Sequence, residues 1–147
     1  MSEKIAARFP SSRIEYVRQS RLKFTVAPET LKEAGLFARD ELGFDHFATV
    51  SGVDYPSKNE IEVVYFVGSV RPGMEDLVIA LATRVPRDAP AVQSLVEVWS
   101  GAEYHERETF EMLGVRFTGH PDLRRILLPE DWDDIPPLRK DFRSPGR

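Results

Sequence analysis

Proline is concentrated at the C-terminal end of this chain, and its placement limits where a regular core can form. Five of the 11 prolines lie in residues 118–147, at positions 121, 129, 136, 137 and 145. Proline fixes φ, has no N–H to donate and disfavours a helical conformation of the residue before it. These last residues therefore cannot form a long helix, and a regular core has to be built from the residues that precede them.

Four segments in the first two thirds of the chain have the apolar pattern of β-strands. In the first, Leu22, Phe24 and Val26 alternate with polar residues, as in a strand that is buried on one face. The others are bounded by turn-forming residues and contain apolar runs. The predicted strands are residues 21–26, 44–53, 61–67 and 77–85. The small residues Ala80 and Ala82, on one face of the last strand, predict that a helix approaches that face closely.

Helical spacing of apolar residues predicts three helices, over residues 28–43, 88–99 and 100–113. The first begins with proline and glutamate, which suit a helix N-terminus, and ends at Gly43. In the third, Ser100 and Glu103 have the spacing of a capping box. Glu103, Arg107 and Glu111 lie four residues apart on this helix, which predicts two supporting ion pairs on an exposed stripe.

The order of these elements predicts an α+β fold. Short hairpin-type links among the last three strands favour a mostly antiparallel sheet of about four strands with helices on one side. An extended C-terminal tail follows this domain. We therefore expect a lead-in with a short helix at residues 1–20, a core domain at 21–117 and the tail at 118–147.

Composition and motifs exclude several kinds of binding site. The chain has no cysteine, which excludes disulfides, thiolate zinc sites and iron–sulfur clusters held by cysteine. No glycine-rich phosphate loop follows a strand, and the net charge of −4 gives no general reason to bind nucleic acid. We therefore expect no cofactor on this chain and no nucleic-acid partner.

Glu106, Glu108 and His120 are the residues from which a catalytic site could be built. Residues two apart on a helix point in different directions, so the two glutamates would not share one substrate. His105 lacks the second histidine of a helical metal motif, and no nucleophile-elbow motif is present. We expect neither catalytic nor metal-binding residues, and a free-standing enzyme that uses these three residues is the competing hypothesis.

Contact with a membrane is expected only through a partner. The N-terminus has charges and no apolar core of the kind found in a signal peptide. The apolar run Leu77–Ala82 is far shorter than the roughly 20 residues that cross a bilayer. A cytoplasmic location follows as the expectation.

The tail carries more apolar residues than a disordered end. Its large apolar residues are Leu123, Ile126, Leu127, Leu128, Trp132, Ile135, Leu138 and Phe142. Basic and acidic residues are balanced there, and tryptophan and arginine are common at protein interfaces. We expect the tail to bind another protein. The alternative is that it folds back over its own sheet, and both can hold in part.

Four blocks of the C-terminal third resemble the signature of one family. Residues 106–117, ERETFEMLGVRF, are similar to E-R-E-x-[FY]-D-[ML]-[FL]-G-[IV]-x-F. Residues 120–127, HPDLRRIL, are similar to H-P-x-L-[RK]-R-I-[LM]. Residues 129–132, PEDW, and 137–142, PLRKDF, resemble the family's next two blocks. The chain thus resembles the 30 kDa subunit of respiratory complex I, which is the C subunit of NADH–quinone oxidoreductase, and its equivalents in related energy-converting complexes.

The resemblance implies a non-catalytic structural subunit in the hydrophilic arm of a membrane-associated NADH–quinone oxidoreductase-type complex. Such a complex couples electron transfer to quinone with proton translocation. The implied partners are the larger quinone-site subunit, of the 49 kDa type, and neighbouring iron–sulfur subunits, which hold the clusters and the quinone. The implied location is peripheral, on the cytoplasmic side of the plasma membrane.

Two other assignments stay open. One is the equivalent subunit of a related membrane-bound hydrogenase, or of a complex fed by ferredoxin or a reduced deazaflavin. The other is a scaffold or assembly protein outside any redox complex.

The expected partner contacts come from the motif blocks. Arg125, Arg139 and Lys140 are candidates for charged contacts. Trp132 and Phe142 are candidates for apolar anchors. The full set of expected partner-binding residues is Glu106, Arg107, Glu108, His120, Pro121, Arg125, Asp131, Trp132, Leu138, Arg139, Lys140, Asp141 and Phe142.

Overall fold

The computed structural model describes residues 1–144, so the end of the predicted tail, residues 145–147, lies outside the described residues. The strands are β1 (Arg13–Arg18), β2 (Arg21–Thr25), β3 (His46–Tyr55), β4 (Glu60–Gly68), β5 (Val78–Pro86), β6 (Ala91–Gln93) and β7 (Arg116–Thr118). The α-helices are α1 (Ser2–Arg8), α2 (Leu31–Asp40) and α3 (Ala102–Leu113). Within the described chain, no helix has both the length and the apolar character needed to span a membrane.

The first five strands form one sheet in the order β1-β2-β5-β4-β3, and β6 pairs with β7. Three of the four pairings in the large sheet are antiparallel, and the β2–β5 pairing is parallel. The predicted α+β class with a mostly antiparallel sheet is confirmed, with five strands in place of about four.

The additional strand, β1, lies in the segment that the sequence predicts as a lead-in. It is an edge strand, and the side chains of Tyr16 and Val17 are 70% and 62% exposed. A strand exposed on both faces lacks the apolar alternation by which strands are recognised in sequence.

The core lies between one face of the sheet and the helices. Phe24 of β2, Tyr65 of β4 and Leu81 of β5 are fully buried on that inner face. They belong to the same apolar cluster as Ile5 of α1 and Leu31 of α2. The predicted helix at 28–43 is confirmed as a short 3-10 helix followed by α2.

The outer face of the sheet has no such cover. Val64, Ala80 and Ala82 form a separate small cluster with Phe66, and this cluster contains no helical residue. The expected close approach of a helix to Ala80 and Ala82 is therefore wrong for the helices that the structure describes. Small side chains on a strand permit a helix to approach but do not supply one.

The predicted helix over residues 88–99 is wrong. The segment forms the short strand β6, whose parallel pairing with β7 takes the place of helical hydrogen bonds. Of the predicted apolar stripe, Val92, Leu95 and Trp99 are buried and Val96 is half-buried, so the apolar spacing identified most of the inward-facing residues. The N–H of Leu95 donates to the carboxylate of Glu106 at 2.7 Å, and tertiary contacts of this kind override local helix preference.

The third predicted helix is confirmed as α3, but its capping box does not form. The N-cap residue is Gly101, and no side chain caps the helix there. At the other end, Gly114 adopts the left-handed conformation with φ 81° that ends many helices. The helix lies over β3, where Gly52 provides the space for Leu113.

We predict that Gly52→Ala destabilises the domain. A Cβ at this position would lie 2.2 Å from Cδ1 of the buried Leu113. We expect the free energy of unfolding to fall by about 1–3 kcal/mol, the usual cost of overpacking a core. Gly68→Ala on β4 is the matched control, because its nearest contact would be an ordinary 3.6 Å. Equal denaturation midpoints for the two variants would contradict this account.

Candidate partner-binding site

The C-terminal segment, defined here as residues 119–144, contains no helix or strand but is tied to the domain at several points. A chain without regular structure has to find partners for its backbone polar groups outside helical or sheet ladders. In this segment, side chains of α3 and of β3 provide several of those partners. The tail folds back onto α3 and reaches its own sheet at Asp54 of β3, so the alternative expectation that it folds back over that sheet holds in part.

The first attachment is the carboxylate of Glu111 on α3, which is 4% exposed. It accepts hydrogen bonds from three consecutive backbone N–H groups, those of Ile126, Leu127 and Leu128. The bond from Leu127 measures 2.9 Å and that from Leu128 measures 3.2 Å. Successive N–H groups that converge on one anion form a compact charge-assisted cluster.

This geometry corrects the expected stripe of exposed ion pairs on α3. Arg107 is 7% exposed, and its Nε donates to the carbonyl oxygen of Arg124 at 3.0 Å. No ion pair joins Arg107 to Glu103 or Glu111 in the described structure. Arg107 and Glu111 bind the backbone of the C-terminal segment instead.

The second attachment closes the end of α3. The N–H of Leu138 donates to the carbonyl oxygen of Met112, and Nε of Arg139 donates to that of Leu113, each at 2.8 Å. The last carbonyl groups of a helix have no partners within the helix, and a cation is favourable beside them. Arg139 therefore satisfies the helix end and fixes the segment at one point.

The third attachment is a cluster of charged groups around Asp54 of β3, which is 3% exposed. Arg87 binds both carboxylate oxygens of Asp54, at 2.6 and 3.0 Å, and also contacts Asp141 at 2.9 Å. The N–H of Lys140 donates to Asp54 at 2.9 Å. The hydrogen bonds from Arg87 are the main reason that the pKa of Asp54 lies below its usual value.

Arg125 fixes the conformation of the segment itself. Nη1 of Arg125 donates to the carbonyl oxygens of Pro129, Glu130 and Trp132, at 3.0–3.2 Å. The single guanidinium group thus holds the turn that presents Trp132, whose ring centroid lies 6.0 Å from that of Phe142.

His120 fixes the start of the segment. Its Nε2 lies 2.9 Å from the carbonyl oxygen of Glu103, and its Nδ1 accepts the N–H of Asp122 at 2.9 Å. These partners require the neutral tautomer with the proton on Nε2.

Glu106 is fully buried and bound by its own chain. Its carboxylate accepts hydrogen bonds from the hydroxyl groups of Tyr65 and Ser94 and from the N–H of Leu95, all within 2.8 Å. Burial raises the pKa of Glu106 and, together with this carboxylate, raises the pKa of Tyr65. Since Glu106 is enclosed and Glu108 is exposed, the two do not form a shared acid–base site.

The structure divides the expected partner-binding residues into inner and outer sets. The buried residues are Glu106 and Arg107. The half-buried residues are His120, Trp132, Arg139 and Phe142. The exposed residues are Glu108, Pro121, Arg125, Asp131, Leu138, Lys140 and Asp141. A partner can reach the exposed and half-buried residues. Arg107 binds the segment from below, whereas Glu106 binds Tyr65, Ser94 and Leu95 inside the domain.

Sequence reasoning missed several residues of this site. Asp54 and Arg87 lie far from the segment in sequence, and only the folded sheet brings them beneath it. Glu111 lies close in sequence, but the helical spacing assigned it to an ion pair with Arg107. Ile126 and Leu127 are among the apolar residues of the tail but not among the expected contacts. They are 41% and 60% exposed, and Leu138 is 61% exposed; these three large exposed apolar side chains of the segment are defined here as the exposed apolar row. One sequence signal could have identified Ile126 and Leu127. It is an apolar residue directly after two charged residues, in a stretch without a helical or strand pattern.

Side chains of the types that bind metals are dispersed over the described structure. Across residues 1–144, no three histidine, cysteine, aspartate or glutamate side chains come together as a possible metal site.

The fold and the site define a small α+β domain with an ordered C-terminal segment that displays apolar side chains. The chain belongs to the family described as "Respiratory-chain NADH dehydrogenase, 30 Kd subunit", which it matches over residues 24–147. The residue blocks that carried the resemblance lie within this match.

Individual relatives and solved structures agree with the family. The chain is 38% identical to the C subunit of the F(420)H(2) dehydrogenase of Methanosarcina mazei, over 97% of its own length and 89% of the relative's. It is 46% identical to the C subunit of the NADH-quinone oxidoreductase of Roseiflexus sp., over 82% of its own length and 68% of the relative's. A chain of the archaeal membrane-bound sulfane sulfur reductase superimposes with a TM-score of 0.78 at 26% identity, over 97% of this chain and 83% of that one. A trypsin-resistant fragment of Nqo5 superimposes with a TM-score of 0.69 at 27% identity, over 83% of this chain and 98% of that one.

We predict that Glu111→Gln loosens the C-terminal segment. Glutamine carries no charge, so its oxygen binds the three N–H groups less strongly than the carboxylate does. Its NH2 group also replaces an oxygen that accepts from Leu127, and an unsatisfied donor costs about 1–3 kcal/mol. The rate of proteolytic cleavage within residues 119–144 should rise. Glu108→Gln, on the same helix but exposed, is the matched control and should leave cleavage unchanged. The same cleavage rate in both variants would contradict the role of Glu111.

We also predict that Asp54 makes stability depend on acid pH. The folded pKa of Asp54 is lowered, so its stabilisation is complete above the unfolded value of roughly 3.9 and is lost as the pH falls through the folded value. Asp54→Asn should cost on the order of 3 kcal/mol at neutral pH, and the difference from the natural chain should shrink below about pH 4. Chemical denaturation across pH, with the exposed Asp133→Asn as control, measures this. A pH-independent difference would exclude it.

Proposed function

We propose that this chain is a structural subunit of a membrane-associated oxidoreductase complex of the NADH–quinone type, and that the outer surface of the C-terminal segment binds a neighbouring subunit. The observation that carries the proposal is the exposed apolar row, Ile126, Leu127 and Leu138, on a segment that buried carboxylates hold in place. Family membership supplies the type of complex.

The apolar row favours association because its exposed side chains can be removed from water by a partner. Burial of apolar surface contributes about 25 cal/mol per Å². The segment is already ordered by Glu111, Arg139 and Asp54, so much of the entropy cost of fixing it is met within the chain. Preorganisation of this kind raises affinity without additional contacts.

The proposed partner is the larger quinone-site subunit, of the 49 kDa type, with iron–sulfur subunits nearby. In this proposal those subunits hold the clusters and the quinone, while this chain has no catalytic residue. The complex would transfer electrons to quinone and couple this transfer to proton translocation. The chain would lie peripherally on the cytoplasmic side of the plasma membrane.

The electron donor has a second candidate. The relative from Methanosarcina mazei belongs to an F(420)H(2) dehydrogenase, and the match covers nearly the whole of both chains. A complex fed by a reduced deazaflavin is therefore an alternative to one fed by NADH. Purification of the intact complex through a tag on this chain, followed by quinone reduction with each donor, distinguishes the two.

We predict that the double variant Leu127→Ala and Leu138→Ala weakens assembly without destabilising the isolated chain. Both side chains are about 60% exposed, so they contribute little to the chain's own core. Loss of two interface anchors should weaken binding to the partner by about 2 kcal/mol or more, roughly 30-fold. Val70→Ala, at 68% exposure and in the loop after β4, is the control. Undiminished co-purification of the double variant with the other subunits would refute the assignment of this surface.

A further inference from the structure

The outer face of the large sheet is a second surface without a partner among the described elements. Its exposed part is a cleft of about 430 Å³ between Phe66 on β4 and Val17 on β1. Val78 and Ala80 of β5 also line it. Ala80 pairs with Phe66 in the neighbouring strand, so a small side chain lies beside a large one and leaves a depression. An apolar sheet face is normally buried against another layer of structure.

Two arginines border this cleft. Arg18 and Arg21 are exposed, and neither has a carboxylate within 4.0 Å in the described structure. Nη1 of Arg21 makes only a long contact of 3.5 Å, to the carbonyl oxygen of Asp76. Both guanidinium groups can therefore bind an anionic group that approaches the cleft.

The other half of the same face has its charges balanced. Glu62 of β4 is bound by Lys23 at 3.0 Å and by Arg84 at 3.3 Å, and Arg84 also contacts Glu60 at 3.6 Å. Arg13 of β1 pairs with Glu15 at 3.0 Å. The excess of positive charge is therefore located at the apolar cleft and does not extend over the whole face.

We propose that this cleft binds an amphipathic helix of another subunit, with apolar side chains against Phe66, Val78 and Ala80 and carboxylates against Arg18 and Arg21. The small residues of β5 allow the close approach of a helix that the chain's own described helices do not make. The two arginines provide charge complementarity, which favours an acidic occupant and selects its orientation. The inference rests on the proposed function, because the occupant is a subunit of the same complex, but it concerns a surface distinct from the C-terminal segment.

Photo-crosslinking in the intact complex tests this proposal. Benzoylphenylalanine in place of Phe66 puts a photoreactive ring in the cleft, and the same group in place of Tyr16 gives an exposed control on β1. We expect Phe66→benzoylphenylalanine to crosslink to a helical, acidic peptide of one other subunit, identified by mass spectrometry. The control should not yield that peptide.

A charge variant provides the second measurement. In the crosslinking chain, Arg18→Glu with Arg21→Glu should reduce the crosslink yield at least about tenfold, because carboxylates would then face carboxylates. Lys4→Glu with Lys58→Glu makes the same change in net charge at exposed positions elsewhere and should leave the yield unchanged.

Three outcomes would overturn the inference. They are a crosslink to a second copy of this chain, no crosslink although the chain is present in the purified complex, and an equal yield in the two charge variants. A chain that co-purifies with no other subunit would instead refute the proposed function, and with it the occupant named here. Incorporation into the complex through the C-terminal segment without a crosslink from position 66 would refute this inference alone.

Discussion

The interaction on which the rest of the site depends is the binding of backbone N–H groups by buried carboxylates. The C-terminal segment has no ladder of its own, so its peptide groups need partners from elsewhere. Glu111 accepts three of them and Asp54 accepts a fourth. Burying a carboxylate is costly unless its oxygens are bound, and here the segment and Arg87 bind them. The buried carboxylates therefore stabilise the segment, and the segment stabilises the buried carboxylates.

This reciprocity explains why charged residues surround a segment that lacks regular structure. Arg107, Arg125 and Arg139 all donate to backbone carbonyl oxygens. Such contacts fix the path of the chain while leaving the side chains of the segment directed elsewhere. The exposed apolar row is the result, and a partner would meet a surface whose shape is already set.

Much of the fold could be predicted from sequence. The inner strands have alternating or continuous apolar residues, and the helix at residues 28–43 has clear start and stop residues. The edge strand β1 could not, because its side chains contact water on both faces. The segment after β5 was also mispredicted. Its buried residues Val92, Leu95 and Trp99 have the spacing of a helix, although the chain there is a short strand followed by a loop. Residue type gave the correct burial there, but pairing with β7 determined the conformation.

The site was only partly predictable for a related reason. Motif resemblance identified the segment and many of its residues, but it could not separate those that face inward from those that face outward. Glu106 and Glu108 differ by two positions, yet one is enclosed by Tyr65, Ser94 and Leu95 while the other is in water. That distinction depends on how α3 lies on the sheet, and tertiary packing of this kind has no local sequence signal.

The bond from Lys140 to Asp54 joins residues 86 positions apart, which constrains the order in which the molecule can form. During synthesis, β3 emerges long before Lys140, so Asp54 lacks this hydrogen-bond donor until the C-terminal segment has left the ribosome. The apolar row can reach its final geometry only when the sheet, α3 and the C-terminal segment are all in place. The shape of this surface therefore depends on contacts that span most of the domain, and local misfolding of β3 or α3 would alter it.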